Sequence, residues 1–295
     1  MFENTALAYT PTPAFELQSA VSQQAEIKMV IKREDLNHAH VSGNKWWKLK
    51  YNLQEAVKLG SKTILTFGGA YSNHIFATAA AANELNLKSI GIIRGEETLP
   101  LNSTLSFAQK KGMRLEYVSR EEYRRKAEPE FAEILKKKFD DFYLIPEGGT
   151  NELAVKGCSE FGEKLLAEIE FDYICLPVGT GGTMAGIING LKGKKKVLGF
   201  SSLKGEEFLE EEIIKYTRHT NWQLIHDYHF GGYAKSTKAL TNFSEDFERN
   251  FSIPLDPVYT SKMTFGVFDM IKKDFFKRGS AVLIIHTGGL RRSQS

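Results

Sequence analysis

The feature that most constrains this chain is the alternation of short apolar runs with longer stretches of helical periodicity. Such alternation is typical of βαβ units, in which helices cover a buried parallel sheet. The sequence therefore predicts an α/β fold. The predicted strands are Ile27–Ile31, Thr63–Phe67, Ser89–Ile93, Phe142–Ile145, Tyr173–Pro177, Val197–Phe200 and Val282–Ile285.

The stretches between these strands carry helical patterns. Lys45–Lys58 has Trp47, Leu49 and Leu53 at helical spacing, and Asn73–Leu85 is rich in alanine, the strongest helix former. The other predicted helices are Ser103–Lys111, Glu121–Phe139, Glu152–Ile169, Met184–Leu191, Glu206–Arg218, Ala234–Arg249 and Met263–Lys277.

Composition argues against several classes of protein. The 295 residues suit one large or two medium α/β domains, and the net charge of +3 is too small to indicate a nucleic-acid partner. No apolar run approaches the roughly 20 residues of a membrane span, and the N-terminus lacks the pattern of a signal peptide. We therefore expect a cytoplasmic protein with no nucleic-acid or membrane partner.

Two cysteines occur, Cys158 and Cys175. Neither lies in a CxxC pair or at the spacing of a metal ligand, so the sequence predicts buried thiols and no metal site.

Glycine-rich segments follow four of the predicted strands. They are Gly68–Gly69, Gly148–Gly149, Gly179–Gly182 and Gly288–Gly289. In open α/β sheets, ligands bind outside the carboxyl ends of strands, where loops meet helix N-termini. Four such loops at four strand ends suggest one shared site.

The loop after Tyr173–Pro177 has the composition of a phosphate cradle. It reads Val-Gly-Thr-Gly-Gly-Thr over 178–183 and leads into a predicted helix. Glycines let backbone N–H groups approach an anion, the helix N-terminus adds unpaired donors, and Thr180 and Thr183 add hydroxyls. A plain glycine turn is the alternative. A dinucleotide site fits less well, because Gly179, Gly181 and Gly186 do not form GxGxxG, and no GK[ST] follows for a P-loop.

Lys45 lies in Ser42-Gly43-Asn44-Lys45, at the start of a predicted helix. A lysine that attacks an aldehyde must be partly unprotonated, and a helix N-terminus and nearby cations favour the neutral amine. Lys48 and Lys50 are close in sequence, and only one of the three can face a pocket. Taken alone, these residues favour a solvated surface lysine.

The ordered set of motifs is more specific than any one of them. Together they resemble the pyridoxal-phosphate (PLP) dependent family of 1-aminocyclopropane-1-carboxylate (ACC) deaminases and D-cysteine desulfhydrases. The motifs occur in the family's order and span nearly the whole chain. They are Lys32–Asn37, Ser42–Leu49, Gly68–His74, Gly179–Thr183, Asp256–Lys262 and His286–Gly289.

The resemblance implies PLP fold type II, like the tryptophan synthase β subunit, with two α/β domains of open twisted sheets and flanking helices. Residues 1–47 and 153–295 would form the large PLP-binding domain, and residues 48–152 an inserted small domain. It also implies pyridoxal 5′-phosphate as cofactor, a small amino acid as substrate and a homodimer.

The resemblance also implies roles for single residues. Lys45 matches the Schiff-base lysine, and Asn73 matches the residue that hydrogen-bonds the cofactor's 3′-oxygen. Ser72 matches a residue near the substrate carboxylate, although ordinary N-capping by Ser72 or Asn73 is compatible with these roles. Tyr259 and Tyr233 match two pocket tyrosines, of which Tyr233 has the weaker local match.

Further positions complete the predicted site. His74 is expected to lie near the cofactor ring or the substrate, although a lone histidine is more often structural. The remaining expected cofactor-binding residues are Asn44, Gly179, Thr180, Gly181, Gly182, Thr183 and Thr260.

Thr260 separates the two branches of the family. ACC deaminases have Tyr-Glu where this chain has Tyr259-Thr260. A carboxylate beside the pyridine nitrogen keeps that nitrogen protonated and strengthens the electron sink, whereas threonine can only hydrogen-bond. The desulfhydrase branch has Thr at this place and His after Ser-Asn, as here with His74. The residues favour β-elimination of D-cysteine to an α-keto acid, ammonia and sulfide over ring opening of ACC to 2-oxobutyrate and ammonia.

Two alternatives stay open. After Tyr233 the chain reads Ala-Lys-Ser-Thr where both branches have Gly-x-Pro-Asn, so another substrate such as D-serine is compatible with the sequence. A non-catalytic binding protein with the PLP fold is the alternative of another class. The retained Lys45, Ser72, Asn73 and Tyr259 argue against it.

Overall fold

The computed structural model describes residues 7–205 and 208–290. Its α/β architecture confirms the predicted fold class, and the described residues divide into two compact units. The first unit contains the residues up to Tyr9, His38–Val41 and Lys45–Ala154. The second contains Thr10–Asn37, Ser42–Asn44 and the chain from Val155 onward.

Strands and helices alternate along most of the chain. The strands are β1 (Ala14–Glu16), β2 (Lys28–Lys32), β3 (Thr63–Gly69), β4 (Lys88–Arg94), β5 (Met113–Val118), β6 (Tyr143–Ile145), β7 (Tyr173–Val178), β8 (Lys196–Ser201), β9 (Trp222–Ile225) and β10 (Ala281–Ile285). The α-helices are α1 (Ala20–Ala25), α2 (Asn44–Lys58), α3 (Asn73–Glu84), α4 (Ser103–Lys110), α5 (Arg120–Arg124), α6 (Pro129–Phe139), α7 (Glu152–Glu168), α8 (Gly182–Leu191), α9 (Phe208–Ile214), α10 (Lys238–Phe251) and α11 (Thr260–Lys272).

The first unit is built on a parallel sheet of order β5-β4-β3-β6. Successive side chains of a strand point to opposite faces, so the apolar residues of β3 and β4 supply two cores. Leu65 and Phe67 pack on one face against residues of α5 and α6. On the other face, Ile93 packs with Ile75 of α3 and Leu105 of α4. The sheet is therefore covered by helices on both faces.

The second unit is built on a sheet of order β1-β2-β10-β7-β8-β9, parallel except for the antiparallel pair β1–β2. One core of this unit joins Ile31, Cys175 and Phe200 of the sheet to Phe247 of α10 and Val267 of α11. Strands β7 and β10 are neighbours, so their carboxyl ends meet at one edge of the sheet.

Gly186 has a packing role in this unit. A Cβ at this position would lie 2.3 Å from Cys158 Cβ and 2.6 Å from the Val155 carbonyl oxygen, so glycine is needed for α8 to approach α7. This close helix packing explains Gly186 without a dinucleotide.

Several elements differ from the sequence predictions. The strands β1, β5 and β9 were not predicted, because β1 and β9 are short and β5 interrupts its apolar pattern with Arg114 and Glu116. The predicted helix Glu121–Phe139 is divided into α5 and α6 by a 3₁₀ turn over Arg125–Ala127. Pro129 has no N–H to continue a helix, and it instead occupies the first turn of α6.

Two helix starts also differ. The predicted helix from Ala234 begins at Lys238, where Thr237 provides the N-cap by accepting from the Leu240 N–H. Of the predicted helix Glu206–Arg218, Glu206 and Glu207 lie outside the described residues, and α9 ends at Ile214.

Cys158 and Cys175 are buried thiols, as predicted. Burial raises the pKa of Cys175 far above its usual range. Within residues 7–205 and 208–290, no three His, Cys, Asp or Glu side chains are grouped as a metal site. Among the helices of the same ranges, none has the length and apolar character required to cross a membrane.

Candidate active site

The structure distinguishes the three lysines of α2. Lys48 is 1% exposed, and its Nζ donates a 2.8 Å hydrogen bond to Thr150 Oγ1. Lys50 Nζ lies 4.9 Å from the centroid of the Tyr51 ring. Lys45 is half-buried in the first turn of the helix. These three lysines of α2 thus differ in burial and in the contacts that they make.

The segment after β3 leads into α3 through Ser72. The Ser72 hydroxyl accepts from the N–H groups of His74 at 3.2 Å and Ile75 at 3.3 Å, so Ser72 is the N-cap. Asn73 is the first residue of α3 and is half-buried. The N-cap role of Ser72 thus accompanies any role toward a substrate.

His74 is buried, at 2% exposure. Nε2 lies 2.8 Å from Thr66 Oγ1, whereas Nδ1 has no hydrogen-bond partner among the described residues. Burial holds the pKa of His74 well below its usual range, and the nearby charges of Lys45 and Lys48 lower it further. His74 is therefore neutral at neutral pH and lies within the electrostatic reach of Lys45.

The predicted phosphate loop connects β7 to α8 in the second unit. Gly181 is the N-cap residue, with φ of 76°, and no side chain caps this helix end. The first i to i−4 hydrogen bond runs from Ala185 N–H to the Gly181 carbonyl. The N–H groups of Thr183 and Met184 come before this bond, in the first turn of the helix, where N–H groups have no carbonyl acceptor within the helix. This helix end has the donor set and the dipole that favour an anion.

Asn44 connects the start of α2 to this loop. Its Nδ2 donates to Thr183 Oγ1 at 2.9 Å, and its backbone N–H donates to the Thr287 carbonyl at 3.2 Å. The preceding Gly43 has φ of +67°, and a Cβ there would lie 1.9 Å from the Thr287 carbonyl oxygen. The Gly43–Asn44 segment is thus held against α8 and against the loop that follows β10.

The turn before α11 positions Tyr259. The Asp256 carboxylate accepts from the N–H groups of Val258 at 3.0 Å and Tyr259 at 2.7 Å. Thr260 is fully buried, and its Oγ1 accepts from the Asp256 N–H at 2.7 Å. A Cβ on Gly179 would lie 3.3 Å from Tyr259 Cε1, so the tyrosine ring borders the phosphate loop.

Tyr233 lies beside Tyr259, with ring centroids 6.2 Å apart and an interplanar angle of 67°. The loop that carries Tyr233 is attached to α11 through Lys262, whose Nζ donates to the carbonyls of His229 at 2.9 Å and Gly232 at 2.7 Å. Burial lowers the pKa of Lys262 to about 8, opposed by the charge of Asp256.

The predicted residues thus fall into two groups. The second unit brings together Asn44, Gly179–Thr183, Tyr259–Thr260 and Tyr233, and the first unit contains Lys45, Ser72, Asn73 and His74. Thr180 is exposed at the tip of its loop.

Two supporting residues were not identified from the sequence. Lys262 belongs to the Asp256–Lys262 motif but received no role, since its acceptors are backbone carbonyls that are distant in sequence. Thr66 lies within an apolar strand, where a single threonine gives no signal that it contacts His74.

Comparisons with known proteins agree with this geometry. The pyridoxal-phosphate dependent enzyme family matches residues 5–288. A Pyrococcus abyssi protein with the provisional name 1-aminocyclopropane-1-carboxylate deaminase is 32% identical over 288 residues, covering 92% of this chain and 87% of its own length. The mitochondrial bifunctional D-cysteine desulfhydrase/1-aminocyclopropane-1-carboxylate deaminase of Arabidopsis thaliana is 31% identical, covering 97% of this chain and 78% of its own.

Solved structures lead to the same conclusion. The crystal structure of an ACC deaminase homologue superimposes with a TM-score of 0.82 at 30% identity, covering 95% of this chain and 90% of that one. The match extends over nearly the whole chain, so the family is established by sequence and by fold together. The chain belongs to the pyridoxal-phosphate dependent enzymes of fold type II, in the family of ACC deaminases and D-cysteine desulfhydrases.

Proposed function

We propose that this chain is a PLP-dependent lyase that catalyses β-elimination from D-cysteine, releasing an α-keto acid, ammonia and sulfide. The observation that carries the proposal is Thr260, which stands where ACC deaminases have glutamate. Its side chain is fully buried, and its hydroxyl accepts from the Asp256 N–H, so no carboxylate lies at this position. β-Elimination tolerates a weaker electron sink, because the leaving group departs as soon as the α-carbanion forms.

The residues present fit PLP. The start of α8 has no side-chain cap and offers backbone donors to a phosphate. Lys45 supplies a primary amine in the first turn of α2. His74 Nδ1 is a buried acceptor without a partner in residues 7–205 and 208–290, as expected next to a ligand.

When bound, PLP withdraws electrons from the substrate α-carbon and so makes its proton acidic. Lys45 would hold the cofactor covalently, and its amine would move the proton at the substrate α-carbon. Gly179–Thr183 with Asn44 would hold the phosphate. Thr260 would donate a hydrogen bond to the pyridine nitrogen without charging it, in place of its 3.5 Å contact with the Asp256 carbonyl.

The remaining site residues act on the ring and the substrate. Asn73 would donate to the cofactor's 3′-oxygen, and Ser72, at the α3 N-terminus, would orient the substrate carboxylate. His74 would lie near the cofactor ring or the substrate. Tyr259, with Tyr233 beside it, protonates or orients the leaving group.

We also propose a cytoplasmic homodimer, supported by the resemblance to the family. The division into a large domain over 1–47 and 153–295 and an inserted domain over 48–152 stays a prediction.

A second activity, ring opening of ACC, is favoured by the names of the relatives, one of which carries both activities in its name. The test is a substrate panel of D-cysteine, L-cysteine, β-chloro-D-alanine, D-serine and ACC with the PLP-loaded protein. Sulfide and pyruvate from D-cysteine are the expected result. 2-Oxobutyrate from ACC without sulfide from D-cysteine would overturn the proposal, and turnover of none of the five would favour a binding protein.

A further inference from the structure

The hydrogen bonds of Thr66 determine which nitrogen of His74 carries the proton. Thr66 Oγ1 lies 2.8 Å from the Ile145 carbonyl oxygen and 2.8 Å from His74 Nε2. A carbonyl oxygen can only accept, so the single hydroxyl hydrogen of Thr66 is directed at Ile145. The Thr66 oxygen must then accept from His74, and Nε2 carries a hydrogen.

The other ring nitrogen of His74, Nδ1, carries no proton and can only accept a hydrogen bond. His74 is neutral, because burial and the charges of Lys45 and Lys48 lower its pKa. A neutral imidazole has one N–H, so Nδ1 presents a lone pair. This atom is buried and has no partner among the described residues, although buried polar atoms in native proteins almost always have one.

The surroundings of the ring indicate what the missing partner is. Gly149 packs against the ring edge, since a Cβ there would lie 3.0 Å from His74 Cε1 and 3.4 Å from Nδ1. The nearby charges are the ammonium groups of Lys45 and Lys48, and Lys48 Nζ is bound to Thr150 Oγ1 at 2.8 Å. Because the groups around it are cationic amines, the lone pair of Nδ1 is suited to accept a hydrogen bond from an N–H donor.

We propose that Thr66 is a positioning residue that fixes the Nε2–H tautomer of His74, so that Nδ1 accepts a hydrogen bond from an amine at the active site. The amine is either the Lys45 side chain, when it is not bound to PLP, or the amino group of the substrate. The identity of this donor rests on the proposed function, whereas the tautomer is a property of the protein without substrate.

The tautomer can be measured by long-range ¹H–¹⁵N NMR of the PLP-loaded protein labelled at histidine, with His74→Gln to identify the His74 signals. We expect Nε2 to carry the proton and Nδ1 to have the shift of an unprotonated nitrogen at neutral pH. A proton on Nδ1, in either the other tautomer or the cation, would overturn the inference whether or not the enzyme acts on D-cysteine.

Two variants test the role of Thr66. Thr66→Val removes the acceptor at nearly constant shape and should give mixed tautomers, whereas Thr66→Ser should retain the Nε2–H form. We expect kcat to fall about tenfold in Thr66→Val and less than about threefold in Thr66→Ser, as for loss of one hydrogen bond. An unchanged tautomer in folded Thr66→Val would contradict the proposal, and if this variant does not fold, the wild-type tautomer still decides.

The donor is identified by following the Nδ1 shift. If the Lys45 amine is the donor, the shift differs between wild type and Lys45→Ala when both proteins are free of PLP and of any amino acid. If the substrate amine is the donor, the shift changes when wild-type enzyme binds D-alanine, which has no β leaving group. A shift that moves in neither experiment would contradict the acceptor role of Nδ1.

Discussion

Asn44 Nδ2 donates a 2.9 Å hydrogen bond to Thr183 Oγ1. The two residues are 139 positions apart in sequence, and they join the residue before Lys45 to the first turn of α8. The segment that contains Asn44 and the glycine loop that ends at Thr183 are each weak indications of function. In the second unit a hydrogen bond joins them.

The first prediction concerns this pair. Asn44→Ala and Thr183→Val each remove one partner and should weaken PLP binding by about five- to tenfold, in line with roughly 1 kcal/mol for a hydrogen bond. Equilibrium dialysis of PLP measures the effect. The double variant should bind PLP at most about twofold more weakly than the weaker-binding single variant. Fully additive losses of affinity would show that the two side chains act independently.

The second prediction concerns the backbone of Gly43. Ala at Gly43 requires φ of +67° and places a Cβ 1.9 Å from the Thr287 carbonyl oxygen. Gly60 is a matched control, because its φ is +71° and a Cβ there meets nothing within 4 Å. Gly60→Ala should lower the free energy of unfolding by about 1 kcal/mol. Gly43→Ala should cost about 3 kcal/mol or more, because the backbone has to move. Equal losses in urea unfolding would mean that the Thr287 contact is unimportant.

The third prediction concerns Thr260. Thr260→Glu removes the acceptor of the Asp256 N–H and buries a carboxylate, so it should destabilise the protein by about 1–3 kcal/mol. By charging the pyridine nitrogen, it should also reduce the preference for elimination over ring opening. Thr260→Ser retains the hydroxyl and serves as the control. If Thr260→Glu leaves the ratio of sulfide to 2-oxobutyrate unchanged, the argument about the pyridine nitrogen is wrong.

The fourth prediction follows from the lowered pKa of Lys262. Its pKa is about 8 in the folded protein, below the value of roughly 10.4 in an unfolded chain. Between these values the unfolded state binds more protons, so the contribution of Lys262 to stability rises with pH. Below pH 8 both states are protonated, and the cost of burying the charge is fully present.

Lys262→Met is the corresponding test. The difference in unfolding free energy between wild type and Lys262→Met should shift in favour of wild type from about pH 7 to about pH 9.5. Urea unfolding at both pH values measures it. A difference that is constant, or that shifts toward the variant, would rule out a lowered pKa for Lys262.

Much of the fold was predictable because the central strands are continuous apolar runs. In β3 and β7 nearly every residue is buried, so their hydrophobicity alone identifies them. By contrast, β5 places Arg114 and Glu116 on a partly exposed surface, and its strand pairing with β4 determines its conformation. The helix break before Pro129 was also predictable, because proline has no N–H to continue a helix.

The site was predictable only through the order of its motifs. Nothing local separates Lys45 from Lys48, because their difference arises from Thr150, which lies about a hundred residues away. The hydrogen bond of Thr66 to the Ile145 carbonyl likewise depends on the pairing of β3 with β6. Such contacts are properties of the tertiary structure and have no signature at short range.

We propose Lys45 as the covalent anchor of PLP, and this role can be tested directly. Borohydride reduction of the PLP-loaded protein, followed by proteolysis and peptide mass spectrometry, locates the lysine that carries the pyridoxyl group. We expect this group on Lys45, and we expect its loss, together with loss of the visible absorption band, in Lys45→Ala. A pyridoxyl group on Lys48, Lys50 or another lysine of the wild-type protein would contradict it.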